Sequence, residues 1–315
     1  DVTVTNTTIT SSSGGMHALH GGGEGGVHID ELRQTDVGAI DRDVPALLLE
    51  GHGSLAQLDA QNVVVEGNVV GPTAVAVVEV DGGGAATSTS LGDATISGCS
   101  GPVMLALAST GIDVVQADRV TITGAVGDHA LLLDPGSSGV LPSSRARLES
   151  NTLTGAQIVD FGGVVTEAIV VGGDAVELHN DSNEHLVELR SATIALADTG
   201  VTCTGNVNVF DNLLGPDVAT PTNGCNVTGN GNLVGVDPRY TAPAATNGDF
   251  TLRLGSPAID DTGYAIDFAS LTVTKISGIS DGLSNTMMTS ELRIAGPPND
   301  LRGYTWWGPS ASFTA

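Results

Sequence analysis

A unit that recurs along the first half of the chain constrains the fold more than any other feature. Each copy has a short β-branched strand, a few small residues, a second apolar run and a glycine turn. The equivalent residues Val65, Ile96 and Ile122 are separated by 31 and 26 residues, and a weaker copy at Leu153 adds a further step of 31. A repeat of roughly 20–30 residues is typical of a solenoid, in which each coil buries its apolar face only against its neighbours.

The repeat also extends toward the start of the chain. Ile9 precedes Val65 by 56 residues, which is room for two steps, and residues 46–49 supply an apolar run for the coil between them. By the same alignment, His17 and His129 fall at equivalent positions of their copies. The predicted fold class is therefore an all-β solenoid.

Composition agrees with short strands rather than long helices. Only 3% of the residues are aromatic, 43 are glycine, and no segment shows a sustained 3.6-residue apolar period. Stacked Val, Ile and Leu side chains fill a solenoid core, while glycine serves the turns that need a positive φ.

The charge balance excludes some partners. With 36 acidic against 11 basic residues, the formal net charge is −25. Nucleic acid needs clustered Lys and Arg, and anionic lipid repels such a surface, so neither is an expected partner. We predict no membrane-spanning segment and no cofactor. A solvated acidic surface is the default interpretation, and Ca²⁺ binding is the alternative.

The segment around residues 203–225 carries two structural candidates. Cys203 and Cys225 flank an irregular Asn-, Gly- and Pro-rich stretch and are candidates for a disulfide, whereas Cys99 is expected to be a small buried residue. Residues 206–212 (NVNVFDN) have Asn at both ends, which favours asparagine ladders between successive coils.

The carboxylates and bases give no convincing catalytic constellation. A lyase needs a strong base near several carboxylates, and Arg119 with Asp118 and Asp113 is the best candidate. Asp118 and Arg119 are adjacent, so on a strand they would point to opposite faces, which favours surface ion pairing. The pair Asp260-Asp261 is expected to cap turns. We therefore predict that the chain is not an enzyme.

Histidines give an alternative binding site. His17, His20 and His28 flank the glycine-rich residues 21–26 and are candidates for a metal site, although packing or solvation is the default for each of them.

Two segments near the C-terminal end resemble known families. Residues 230–263, and above all GDFTLRLGSPAID at 248–260, resemble the closing segment of bacterial right-handed parallel β-helix repeat proteins. This resemblance implies a right-handed parallel β-helix over residues 1–263 and a secreted or surface-attached protein. Because polysaccharide lyases and hydrolases share that fold, it does not settle activity.

The tail, residues 264–315, resembles a different family. ISDGLSNTMMTSE at 279–291 and DLRGYTWWG at 300–308 are similar to segments of bacterial prepilin-like proteins related to type II secretion pseudopilins. The resemblance implies a C-terminal cap or an assembly tail. The candidate cap or subunit-contact residues are Asn285, Glu291, Tyr304, Trp306 and Trp307.

Taken together, these patterns favour an extracellular or cell-surface structural protein. The expected partner is a second copy of the chain, joined head to tail in a fibre or other homopolymer. The alternatives are a polysaccharide-binding or polysaccharide-cleaving β-helix protein and a Ca²⁺-dependent adhesin.

Overall fold

Short β-strands separated by turns build the structure. The computed structural model describes residues 1–10, 15–22, 25–35, 44–83, 87–109, 114–134, 141–144, 147–149, 156–158, 163–166, 168–180, 187–227, 230–243, 249–253 and 256. Numbered in chain order, the strands are β1 (Val2–Thr10), β2 (Met16–His20), β3 (Val27–Thr35), β4 (Leu47–His52), β5 (Gln57–Gln61), β6 (Val64–Glu66), β7 (Val78–Gly83), β8 (Ser88–Gly92), β9 (Thr95–Ser97), β10 (Val103–Ser109), β11 (Val114–Asp118), β12 (Thr121–Thr123), β13 (His129–Asp134), β14 (Leu141–Ser144), β15 (Arg147–Glu149), β16 (Ala156–Ile158), β17 (Gly163–Thr166), β18 (Ile169–Val171), β19 (Asp174–Asn180), β20 (Val187–Arg190), β21 (Thr193–Ala195), β22 (Thr199–Gly205), β23 (Asn208–Phe210), β24 (Leu213–Leu214), β25 (Thr220–Asn223), β26 (Leu233–Val234), β27 (Tyr240–Ala242) and β28 (Asp249–Leu252).

Parallel pairing joins most of these strands into two sheets. A nine-stranded sheet runs β2-β4-β7-β10-β13-β16-β19-β22-β25. A 17-stranded sheet contains β1, β3 and the short strands that come, along the chain, between successive strands of the nine-stranded sheet or, for β26, after the last of them. No helix occurs among the described residues. The prediction of an all-β chain is therefore confirmed for these residues, and the parallel pairing is compatible with a β-solenoid. Within the same ranges, no helix has the length and apolar character needed to cross a membrane.

The register of the sheets reproduces the sequence repeat over several steps. Val65 pairs with Ile96 and Ile96 pairs with Ile122, as the alignment predicts. Strand β4, which contains most of the apolar run at 46–49, lies between β2 and β7.

Two predictions from the repeat alignment are wrong. Ile122 pairs with Leu148, 26 residues on, and not with Leu153, which lies outside the described residues. The likeness of Thr-Leu-Thr-Gly at 152–155 to Thr-Ile-Thr-Gly at 121–124 was a weaker constraint than parallel register. His17 pairs with Leu48, whereas His129 pairs with Val103, so the two histidines occupy different columns of the nine-stranded sheet.

The core consists of apolar side chains stacked from strand to strand. In strands such as β4 and β11, buried side chains alternate with more exposed ones. Most of the described buried positions are filled by medium-sized aliphatic residues. In the nine-stranded sheet one such column is fully buried along most of its length; it contains Leu47, Val78, Leu105, Leu131, Val176 and Val201.

A column of left-handed residues bends the chain within the 17-stranded sheet. Each member lies two residues before a position that pairs with its equivalents in the neighbouring strands of this sheet. The backbone changes direction there. Non-glycine residues rarely adopt this conformation, and Asn and Asp tolerate it best. The described members, all with φ between 50° and 57°, are Asn6, Glu31, Asn62, Asp93, Arg119, Ser191 and Asp211.

The last described strands differ from the ladders. Strands β27 and β28 pair antiparallel, and the ring of Phe250 packs edge-on against that of Tyr240 with centroids 5.1 Å apart. Phe250 belongs to the GDFTLRLGSPAID segment and is 3% exposed, so the described start of that segment contributes an apolar anchor.

Candidate functional site

Among the described residues, a group of histidine and carboxylate side chains lies close together on the outer face of the nine-stranded sheet. In β4, Leu47 and Leu49 point into the core and are fully buried. Strand alternation therefore places Glu50 and His52 on the outer face. The parallel register sets Glu50 beside Asp81 of β7, so one acidic residue from each of two neighbouring strands meets there.

Two histidines share the carboxylate of Glu50. Nε2 of His17, from β2, contacts Oε2 of Glu50, and Nε2 of His52 contacts Oε1. The other ring nitrogen of His52, Nδ1, lies 3.1 Å from the carbonyl oxygen of Gly83. The ligand atoms of Glu50, His52 and Asp81 all lie within 4.8 Å of one another. We call these three residues and His17 the acid–histidine cluster.

Negative charge accumulates beside this cluster. Partial burial raises the pKa of Glu79, a neighbour on β7, and the charges of Asp81 and Glu50 raise it further. The carboxylates of this part of the sheet therefore repel one another. A cation placed among them would lower the energy of the ionised forms.

A second polar site is an open groove on the 17-stranded sheet. It has a volume of about 630 Å³, and its lining includes His28, Asp59 and Ser90. Nδ1 of His28 lies 3.1 Å from Oδ2 of Asp59, and the hydroxyl of Ser90 donates to Oδ1 of Asp59 at 2.5 Å. In a hydrolytic triad the histidine stands between serine and carboxylate. Here the carboxylate is central, so the serine is not activated as a nucleophile.

The best lyase candidate among the carboxylates and bases forms a surface ion-pair cluster, which is the interpretation that the sequence favoured. Arg119 lies in the left-handed turn after β11, with φ of 56°, and not on a strand opposite Asp118. Its guanidinium contacts Asp118 and donates to both carboxylate oxygens of Asp93, at 2.5 and 2.7 Å. The opposite-face argument holds for two residues on one strand and does not apply here, because the turn at Arg119 brings the two side chains together. Asp113 lies outside the described residues.

Replacing Arg119 with Gln should change the titration of Asp93 more than it changes stability. The hydrogen bonds from Arg119 lower the pKa of Asp93, so the contribution of this pair is present at neutral pH and is lost as the pH falls through that lowered value. Because both side chains are exposed, we expect the free energy of unfolding to fall by less than about 1 kcal/mol. Carboxyl-detected NMR titration should show the pKa of Asp93 rising.

A matched variant controls for the loss of a surface charge. Arg33→Gln removes the Arg33–Glu66 ion pair of 2.7 Å, which belongs to other strands of the same sheet. The titration of Asp93 should be unchanged in that variant. An unchanged Asp93 in Arg119→Gln would contradict the assignment.

The three histidines proposed as a metal site are not brought together as one group. His17 and His20 lie on β2, in the nine-stranded sheet, whereas His28 lies on β3, in the 17-stranded sheet. Nδ1 of His20 accepts from the backbone N–H of Gly22 at 3.1 Å. Only His17 joins the acid–histidine cluster.

Two features stabilise the later coils. Cys203 and Cys225 form a disulfide across 22 residues, while Cys99 is a buried free thiol whose pKa is raised by burial. The side-chain amide of Asn212 donates to Oδ1 of Asn232, the equivalent residue before the neighbouring strand, at 3.0 Å. This contact is a short asparagine ladder of the kind that the sequence predicts at residue 212.

The predicted cap and contact residues of the tail lie outside the described residues. They are Asn285, Glu291, Tyr304, Trp306 and Trp307, and the predicted boundary at residue 264 also lies there.

Sequence reasoning missed Glu50, His52 and Asp81. The signal was present, because the 31-residue repeat step that aligns Val65 with Ile96 also aligns Glu50 with Asp81. The pairing of Glu50 with Asp81 emerges only when the repeat alignment includes the outward-facing positions as well as the core positions.

No family model matches the chain, and no curated protein or solved structure is significantly similar to it. The class that the described residues define is an all-β protein with two parallel sheets.

Proposed function

We propose that the chain is an extracellular, surface-displayed structural protein whose two sheets wind into a right-handed parallel β-helix. The observation that supports this best is the nine-stranded ladder, in which successive coils pair in parallel and stack their apolar side chains. Such a chain gains length coil by coil, because each coil needs only its neighbours for burial.

The disulfide supports the extracellular part of the proposal. Disulfides persist in oxidising compartments and are rare where thiols are kept reduced. The Cys203–Cys225 bond fastens β22 to the turn that follows β25, its neighbour in the nine-stranded sheet. The net charge of −25 is suited to keeping a long, exposed ladder soluble.

The direction of the pairing supports head-to-tail association. Neighbouring strands of the nine-stranded sheet pair in parallel among the described residues, so a second copy stacked on an end would continue the ladder. That contact is heterologous and does not close, and it therefore produces filaments. The tail, residues 264–315, is the proposed junction, with Trp306 and Trp307 as its anchors.

Electron microscopy and sedimentation of the purified chain test this proposal. We expect regular filaments that lengthen with protein concentration, and short or absent filaments for Trp306→Ala/Trp307→Ala with an unchanged melting temperature. A chain that stays monomeric at every concentration would rule out the assembly.

The groove on the 17-stranded sheet favours polysaccharide binding as the second candidate. Its lining includes Gln57, Asp59 and Ser90, whose polar groups suit sugar hydroxyls. A glycan screen should then give a ligand whose affinity falls in Asp59→Ala and is retained in Asp118→Ala. The Ca²⁺-dependent adhesin alternative predicts a rise in melting temperature on adding Ca²⁺.

A further inference from the structure

The acid–histidine cluster has the donor set of a transition-metal site. Glu50 and Asp81 supply carboxylate oxygens from adjacent strands, and His52 supplies an imidazole nitrogen from the same strand as Glu50. Zinc takes such mixed nitrogen and oxygen sets, with ligands at about 2.0–2.2 Å. Calcium and magnesium prefer oxygen alone, so an imidazole in this position disfavours them.

The orientation of His52 gives a second, independent indication. Its Nδ1 lies 3.1 Å from the carbonyl oxygen of Gly83, and that oxygen only accepts, so Nδ1 carries the proton. In neutral His52, Nε2 then has a lone pair, and this atom faces Oε1 of Glu50, which also has lone pairs. Two acceptors in contact repel unless they share a cation. A proton satisfies the contact as it stands, and a zinc ion, which needs about 2.0–2.2 Å to each ligand atom, takes the place of that proton when the side chains turn apart. A backbone carbonyl on the far nitrogen is the arrangement that orients metal-bound histidines.

His17 contacts the second oxygen of the Glu50 carboxylate. Its Nε2 contacts Oε2 of Glu50, while His52 contacts Oε1, so Glu50 is fixed from both sides. The backbone of all four residues belongs to three neighbouring strands of one sheet, which keeps the donors in place before an ion binds.

We propose that Glu50, His52 and Asp81 bind a divalent transition-metal ion of the zinc class, with His17 as a positioning residue for Glu50. The ligand atoms are within 4.8 Å of one another, so small side-chain rotations bring them onto one ion. The ion neutralises the carboxylates that crowd this face and ties the coil containing β4 to the coil containing β7. This proposal is independent of the filament proposal, since neither the tail nor the ends of the ladder take part.

Zinc titration of the untagged chain, stripped with a chelator, tests the site. We expect calorimetry with ZnCl₂ to show one saturable equivalent, and CoCl₂ to give the visible absorption of a nitrogen- and oxygen-coordinated ion. His52→Ala and Asp81→Asn should each weaken binding about 10-fold or more, and His17→Ala by a smaller factor. Zinc should also raise the melting temperature of the unsubstituted chain but not that of His52→Ala.

The matched control is His28→Ala, which removes a histidine–carboxylate contact from the other sheet. It should bind zinc as the unsubstituted chain does. Because all four cluster side chains lie on the outer face, we expect each variant to fold, and circular dichroism melting checks this. If Asp81→Asn does not fold, the zinc affinity of His52→Ala decides the test.

Three results would overturn the proposal. The first is the absence of saturable zinc binding, which would leave a proton as the cation between His52 and Glu50. The second is binding that is equal in His52→Ala and the unsubstituted chain. The third is displacement of zinc by an equal concentration of Ca²⁺, which would point to a site made of oxygens alone.

Discussion

Replacing Val115 with Asp should unfold the middle of the ladder, whereas the same replacement at Val114 should be nearly silent. The two residues are neighbours on β11, yet Val115 is 0% exposed and Val114 is 43% exposed. Burying a valine side chain contributes about 1.5–3 kcal/mol, and an unpaired carboxylate in its place adds a desolvation penalty. We expect the free energy of unfolding to fall by about 4 kcal/mol or more in Val115→Asp and by less than about 0.5 kcal/mol in Val114→Asp.

Thermal and urea unfolding followed by circular dichroism measure the difference. Because coils depend on their neighbours, loss of the β11 coil should broaden the transition instead of only shifting it. Lowering the pH should partly rescue Val115→Asp, since a buried carboxyl has a raised pKa and its stabilised, protonated form is lost as the pH rises. Equal effects of the two variants would mean that β11 does not have the inward and outward faces described above.

The core could be predicted from the sequence because repetition makes it redundant. Val65, Ile96 and Ile122 occupy the same position of the repeat, and their alignment fixes the register of three paired strands at once. The prediction failed at the next step, where Leu148 and not Leu153 continues the ladder. A coil shortened or lengthened in its loop leaves the local motif intact, so the motif alone cannot fix the register.

Turns and outward side chains were harder to predict for a physical reason. Arg119 adopts a left-handed conformation that its residue type disfavours, so its propensity does not predict the turn. The acid–histidine cluster likewise exists only because the register sets Glu50 beside Asp81, 31 residues apart. Neither feature has a local motif, whereas Cys203 and Cys225 could be paired by chemistry because only three cysteines exist.

Reducing the Cys203–Cys225 disulfide should destabilise the chain by about 3 kcal/mol. The bond closes a loop with a sequence separation of 22, and cross-links of that length restrict the unfolded chain by about this amount. The effect should be local, because the bond fastens β22 to the turn after β25. We therefore expect the unfolding of the later coils to move to lower denaturant concentration, ahead of the coils around β7 to β13.

Thiol counting and unfolding with and without reductant test this prediction together. The native chain should show no reactive thiol, because Cys99 is buried and its thiol pKa is raised by burial. One thiol should react after unfolding without reductant, and three after unfolding with reductant. The double variant Cys203→Ser/Cys225→Ser should have the stability of the reduced chain, and reductant should not change that stability. Cys99→Ala should lose as much stability on reduction as the unsubstituted chain does. If reductant leaves the stability of the unsubstituted chain unchanged, the bond does not stabilise these coils, and the support it gives to an extracellular location weakens with it.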